Sequence, residues 1–273
     1  MFKLIGCIAL ASVCLLASSL FQPIFATERS KTLRLATTTS TENSGLLAYL
    51  LPRFEAQSGY TVNVIAVGTG KALRMGRDGD ADVVLVHAPT AEERFVEEGF
   101  GLKRVSVMYN DFVFVGPESD DANLMQATAV EAVMQSLIDE KSIFVSRADD
   151  SGTHKKELSL WQLISTKPSG AHYREAGQGM GKVLTMASEM DGYTLVDRGT
   201  WLAYKGKSPL QLLFEGAPIL QNPYSIIAVN PENHPHLNHD GVQALINWLT
   251  DELAQRLIGN FRINGEGLFI PDA

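Results

Sequence analysis

The chain has 273 residues, 45% of them hydrophobic and 20% charged, with a formal net charge of −8. That is enough chain for one large or two modest domains, and the acidic balance excludes the electrostatic footprint of a nucleic-acid-binding protein. The same charge repels an anionic ligand at long range, so any anion site must be local, built from dipoles and a cation rather than a basic patch.

Residues 1–26 carry one basic residue, Lys3, then a long apolar stretch, Pro23 and a small Ala26, the grammar of a cleavable export signal with a mature start near Thr27. "LIGC", ending at Cys7, resembles a lipidation box, but too little apolar chain precedes it. Both cysteines, Cys7 and Cys14, lie in this segment, so a mature chain without disulfides or cysteine metal sites is expected, stabilised by packed cores. Beyond Ala26 no stretch approaches the ~18 apolar residues of a membrane span, and the mature protein reads as soluble and exported.

Next come three strand-then-helix units, as in an α/β layer with a largely parallel sheet. In "TLRLATTTSTENSGLLAYLLPRFEAQSG", Leu33 and Leu35 fit a strand, Leu46, Leu47, Leu50, Leu51 and Phe54 recur at helical spacing, and Gly59 is the expected stop. "TVNVIAVGTGKALRMG" and "DVVLVHAPTAEERFVEEG" are the second and third units. A long extended run follows at residues 104–117, then a helix expected over Ala122 to Glu140, a strand "KSIFVS" and a helix from Ser151. "NPYSIIAVNP" (222–231) is another β-branched run, followed by one amphipathic helix in "DGVQALINWLTDELAQRLIG". The two extended runs read as crossovers joining two lobes: residues 27–113 and 225–273 in the first, 114–224 in the second.

Three strand-to-helix loops carry the chemistry. "TTTST" (37–41) offers hydroxyls, "GTG" (68–70) allows close backbone approach, and "SRADDSGT" (146–153) offers Arg147, Ser151, Thr153 and the Gly152 amide. Helix N-termini leave N–H groups unpaired and partly positive, so such loops can hold an anion. For any one of them, simple helix capping is the commoner explanation. Three successive Thr followed by Ser exceed the needs of one cap, however, and Arg147 requires a partner: an anion, Asp149 or Asp150. "GTGK" is no P-loop, because Ile65 and Ala72 stand where that motif needs Gly and Ser or Thr.

The ordered set "TTTSTENSGLL", "VIAVGTGKAL", "GDADVVLVHAP", "VMYNDFVFVGP", "SRADDSGTHKKELSLW", "GQGMG", "YTLVDRGT" and "NPYSIIAVNP" resembles the tungstate-binding proteins of bacterial tungstate ABC importers, from about Leu33 to the C-terminus. The resemblance implies a periplasmic, monomeric, non-enzymatic receptor with the α/β, two-lobed type II periplasmic-binding-protein fold, two crossover strands and a ligand cleft between lobes. It implies tungstate as ligand, no cofactor, and a membrane permease with its ATPase as partners. It assigns oxyanion contacts to Thr38, Thr39, Ser40, Thr69, Arg147, Ser151, Gly152 and Thr153.

Donor chemistry agrees with the ligand class. A fully ionised oxyanion only accepts hydrogen bonds, so a site of N–H, O–H and guanidinium groups prefers it to protonated phosphate, provided Asp149 and Asp150 turn away. Molybdate has the same charge and shape, so tungstate is chosen over molybdate by the resemblance; sulfate and phosphate are further alternatives. A secreted hydrolase using Ser151 and His154 is the rival of another class, though no nucleophile-elbow motif surrounds Ser151. His234, His236 and His239 have spacing open to a metal, but without an obvious carboxylate a solvated loop is favoured. His87 is expected in the core or behind the ligand contacts, and Gln178 to Gly181 either line the cleft or only start a helix. Glu92, Glu93, Glu97 and Glu98 read as a solvated helix face.

Overall fold

The computed structural model describes residues 31–273; the export segment expected at residues 1–26 lies outside the described residues. Strand β1 (Thr32–Thr38) leads through the short helix α1 (Thr39–Asn43) into α2 (Leu46–Ser58). Helix α2 buries Leu46, Leu47, Leu50, Leu51 and Phe54, each worth about 1.5–3 kcal/mol on full burial. It stops at Gly59, whose φ of +73° is a left-handed cap conformation that glycine adopts without a Cβ clash. Strand β2 (Thr61–Val67), helix α3 (Thr69–Asp78), strand β3 (Val83–Val86) and helix α4 (Pro89–Glu97) complete the repeated units. Both β2 and β3 run parallel to β1, with Leu35 opposite Val64 and Val83.

Strand β4 (Gly101–Gly116) enters the second lobe, which holds α5 (Val130–Asp139), β5 (Phe144–Ser146), α6 (Gly152–Leu163), β6 (Tyr173–Glu175), α7 (Met180–Glu189), β7 (Thr194–Asp197), α8 (Arg198–Tyr204) and β8 (Gln211–Phe214). Strand β9 (Gln221–Val229) returns to the first lobe, followed by α9 (His239–Leu249) and α10 (Glu252–Asn260). No helix among the described residues is long and apolar enough to cross a membrane.

The first sheet runs in the order Ile270–Pro271, β4, β9, β3, β1, β2. Strand β4 belongs to both lobes: Gly101 to Asp111 pair with β9, whereas Phe112 to Gly116 pair with β7 and β8. Period-two alternation on β4 sends Val113 and Val115 into the core cluster that contains Leu33 and Phe54, and Phe112 and Phe114 into the cluster of Val133, Leu137 and Trp161. The same alternation on β3 sends Val83 and Leu85 to one face and Val84 and Val86 to the other.

Three expectations differ. The sheet is mixed rather than largely parallel, because β9 is antiparallel to both β3 and β4. The helix expected from Ala122 begins only at Val130, since the Asp120 carboxylate accepts from the Leu124 and Met125 amides, both at 3.0 Å, and tightens that stretch into a separate 3₁₀ turn. The single C-terminal helix is two, because Asp251 caps α10 by accepting from the Ala254 amide at 2.7 Å.

Candidate functional site

The first-lobe wall of the cleft begins where β1 ends. Thr38 is the N-cap of α1, its Oγ1 accepting from the Thr41 amide at 3.2 Å, and it lies 2.7 Å from Thr41 Oγ1, 3.1 Å from Ser40 Oγ and 3.0 Å from His87 Nε2. Ser40 Oγ is 3.3 Å from the same ring nitrogen. On the other side of the ring, Nδ1 is 3.0 Å from Asn222 Oδ1, and Asn222 Nδ2 donates to Asn110 Oδ1 at 2.8 Å. The Tyr224 ring stacks on His87 with centroids 4.5 Å apart. Burial lowers the imidazole from its ordinary value of 6.5, against the opposing Asn222 bond and Asp197 charge.

The second-lobe wall is the loop from β5 to α6. Arg147 Nη2 donates to Asp149 Oδ2, and Asp149 Oδ1 accepts from the Ser151 amide at 3.1 Å. Burial would raise the Asp149 carboxyl, but bonds from Ser151 and the Arg147 guanidinium together hold it below the ordinary 3.8. Ala148 and Asp150 take positive φ, +48° and +57°. Asp150 faces solvent beside Lys155. Arg147 Nε is buried with no hydrogen-bond partner, a donor that Asp149 leaves unused. Behind the loop, Glu157 accepts from Ser146 Oγ at 2.6 Å, Tyr173 Oη at 2.6 Å and Trp161 Nε1 at 3.1 Å; its burial raises the carboxyl despite those bonds.

Between these walls lies a cleft of about 310 Å3. Of the residues singled out from sequence, Thr39, Ser40 and Arg147 line it. Thr38 stands behind them, its hydroxyl surrounded by Thr41, Ser40 and His87. Gly152 is brought to the same place, because a Cβ on it would come within 3.6 Å of His87 Cε1, so the start of α6 faces the imidazole. Ser151 is the N-cap of α6 and Thr153 is buried in its first turn. Thr69 opens α3 behind Gly68 and is not among the residues lining the cleft. Gly179, Met180 and Gly181 do line it.

Other readings are corrected by the geometry. Ser151 Oγ accepts from the backbone amide of His154 at 3.3 Å, and the His154 ring accepts from the Asp150 amide, so the two side chains form a helix cap and not a nucleophile with its base. The histidine loop is more than solvated: His234 Nε2 lies 2.8 Å from the Arg77 carbonyl and His236 Nε2 3.3 Å from that of Gly79, closing the end of α3. Among the described residues no group of three His, Cys, Asp or Glu is disposed to hold a metal. Glu92 is fully buried, accepting from the Ala88 amide and paired with Arg104 at 2.8 Å, rather than on the solvated face.

Asn110, Asn222, Asp197, Thr200 and Tyr224 were not singled out from the sequence. Asn110 and Asn222 carried a signal nonetheless: an amide inside an otherwise apolar extended run must find a buried partner, and these two find each other across β4 and β9.

Two α/β lobes joined through shared strands, with hydroxyl, amide and guanidinium donors around the cleft between them, define a solute-binding protein. A model of the PBP superfamily domain matches residues 26–252. The tungstate-binding protein TupA of Peptoclostridium acidaminophilum is 48% identical over 251 residues, covering 90% of this chain and 88% of that one. Among solved structures, the tungstate-binding protein TupA from Desulfovibrio alaskensis superposes with a TM-score of 0.85 at 45% identity, covering 89% of this chain and 99% of that one. The tungstate ABC transporter structure from Geobacter sulfurreducens gives 0.76 at 49% identity, with 84% and 98% coverage. The chain belongs to the PBP superfamily and, within it, to the family of these TupA proteins.

Proposed function

We propose that this chain is the extracytoplasmic receptor of an ABC importer, that it closes its two lobes around one tetrahedral oxyanion, tungstate, and that it hands the anion to a membrane permease driven by an ATPase. The observation that carries the reading is the buried, unpartnered Arg147 Nε in a cleft shared with the Thr39 and Ser40 hydroxyls. A dianion with only acceptor oxygens is the ligand such a set satisfies. Thr39, Ser40 and Arg147 are the direct contacts in this reading, with Thr38, Gly152 and the α6 N-terminus in support; Thr69 is not among the residues that line the cleft. This reading keeps the lobes at the bounds expected from the sequence, 27–113 with 225–273 and 114–224, with β4 and β9 crossing between them, and takes the receptor to be an exported, periplasmic monomer. Tungstate rather than molybdate follows the TupA relatives.

Competition titration with tungstate, molybdate, sulfate and phosphate tests it. Tungstate at a thousandfold excess over its Kd stabilises the folded state by about 4 kcal/mol, so its thermal shift should exceed that of sulfate at equal concentration. A larger shift with sulfate or phosphate would overturn the ligand assignment.

A further inference from the structure

The hydroxyl cluster has a proton-counting problem. Thr38 Oγ1 has one hydrogen and four polar neighbours within 3.2 Å, one of which, the Thr41 amide, is already a donor to it. On the far side of the ring, Asn222 uses Nδ2 to donate to Asn110, which leaves its Oδ1 to accept from His87 Nδ1–H. The neutral imidazole is therefore the Nδ1–H tautomer, and its Nε2 presents a bare lone pair to Thr38 and Ser40. A lone pair held at 3.0 and 3.3 Å from two hydroxyls takes its hydrogen bond from one of them, so one of those hydroxyl hydrogens turns inward, to the ring. That hydrogen is then withheld from the cleft, where a dianion wants it.

Protonation of Nε2 reverses the arrangement: the ring donates, the hydroxyl oxygen accepts, and the freed O–H swings towards the cleft. We propose that His87 is the positioning residue that sets the direction of the Thr38 and Ser40 hydroxyls, and that the oxyanion binds with uptake of one proton from solvent at His87 Nε2. The proposal rests on the oxyanion reading above. The proton adds to the ring nitrogen, the hydroxyl rotates, and no other bond forms or breaks.

The surroundings allow the exchange. From β1 and α1 the ring meets only the neutral Thr38 and Ser40; from β4 and β9 it meets Asn110 through Asn222, and Tyr224, whose phenol burial pushes upward so that it stays protonated. From α6 it meets Gly152. The charge nearby is Asp197, at the N-cap of α8, which favours the imidazolium; Arg147 lines the same cleft with its guanidinium paired to Asp149. Burial keeps the free ring neutral at pH 7; a dianion in the cleft adds the field that reverses this.

The test is calorimetric titration of the intact protein with sodium tungstate in paired buffers of different ionisation enthalpy, MES and Bis-Tris at the acid end and HEPES and Tris at the basic end, between about pH 6 and about pH 8, within the range in which a histidine titrates. Between the His87 pKa of the free protein and that of the complex, up to about one proton should be taken up per anion, and Kd should rise about tenfold per pH unit. In His87→Gln, an amide N–H stands permanently where Nε2 donates, so proton uptake should disappear and Kd should become flat with pH. Equal heats in both buffers, with tungstate heat still present, would overturn the proposal while leaving the oxyanion reading intact. Uptake that persists in His87→Gln would assign the proton to another group and overturn it too. Absence of tungstate heat at every pH in the unmodified protein would overturn both. If His87→Gln does not fold, the buffer pair on the unmodified protein still decides whether a proton moves.

Discussion

The two walls of the cleft are built on opposite plans. The first-lobe wall, Thr38, Ser40 and His87, backed by Asn222 on the crossover strand β9, carries no formal charge at neutral pH and is interlocked, each group holding its neighbour at hydrogen-bond distance in or next to the core. The second-lobe wall carries the guanidinium on a loop with two left-handed residues, Ala148 and Asp150, and an internal ion pair between Arg147 and Asp149. One wall is rigid and its donors are dipoles; the other is charged and already has a partner. Attraction therefore belongs to the second wall and shape to the first.

That contrast can be broken most strongly at Arg147. Arg147→Gln removes the charge-assisted bond, about 1.5–3 kcal/mol, or roughly a 10- to 150-fold rise in Kd for tungstate. Arg147→Lys should recover only part, because an ammonium lacks the planar fork. Calorimetry measures both, and an Arg147→Gln protein that folds and binds within about twofold of the parent would place the anion's charge partner elsewhere.

Thr38→Val attacks the other wall. It strips His87 Nε2 and the Thr41 amide of a shared partner, and should lower folding stability by about 1–3 kcal/mol, read as a shifted urea midpoint. A smaller effect follows from Ala148→Gly in the charged loop. Relief of a left-handed alanine, against the entropy of glycine, should stabilise by about 0.5–1 kcal/mol, so the same manipulation of stability has opposite sign on the two walls.

The smallest effect is the acid response of Asp149. Its folded carboxyl titrates below the ordinary 3.8, so its contribution is complete above that value and is lost as pH falls through the folded pKa. In Asp149→Asn this acid-side loss should shrink, checked by urea midpoints at about pH 6 and about pH 3. An unchanged profile would mean that the Arg147–Asp149 pair contributes nothing to folding.

Local signals in the sequence carried far. The spacing of Leu46 to Phe54 and the stop at Gly59 located α2, and the apolar runs located β1, β3, β4 and β9. What local pattern does not contain is which side-chain oxygen interrupts a helix: Asp251 lies inside an apolar period that continues across it, and Asp120 ties up amides that helical periodicity alone would count as continuous. Strand direction was equally hidden, since an apolar run reads the same parallel or antiparallel. At the cleft, Thr39, Ser40 and Arg147 stood out because hydroxyl and guanidinium groups in strand-to-helix loops are chemically conspicuous. His87 and Asn222 meet across 135 residues, and only the pairing of β3 with β9 brings them together.

Strand β9 sits in the middle of the first sheet, between β4 and β3, yet it is made after the whole second lobe. On a growing chain, β1, β2 and β3 wait with the β3 edge unpaired, and β4 has nothing on its first-sheet side, until Gln221–Val229 emerges. The second lobe, which comes off the ribosome before β9 and holds its own core of Phe114, Leu137, Phe144 and Tyr193, has no such wait. The order of synthesis thus favours the inserted lobe folding first and the surrounding one last, with the central strand acting as the closing stitch, and it makes the open β3 edge the place where a stalled or truncated chain would pair with another molecule.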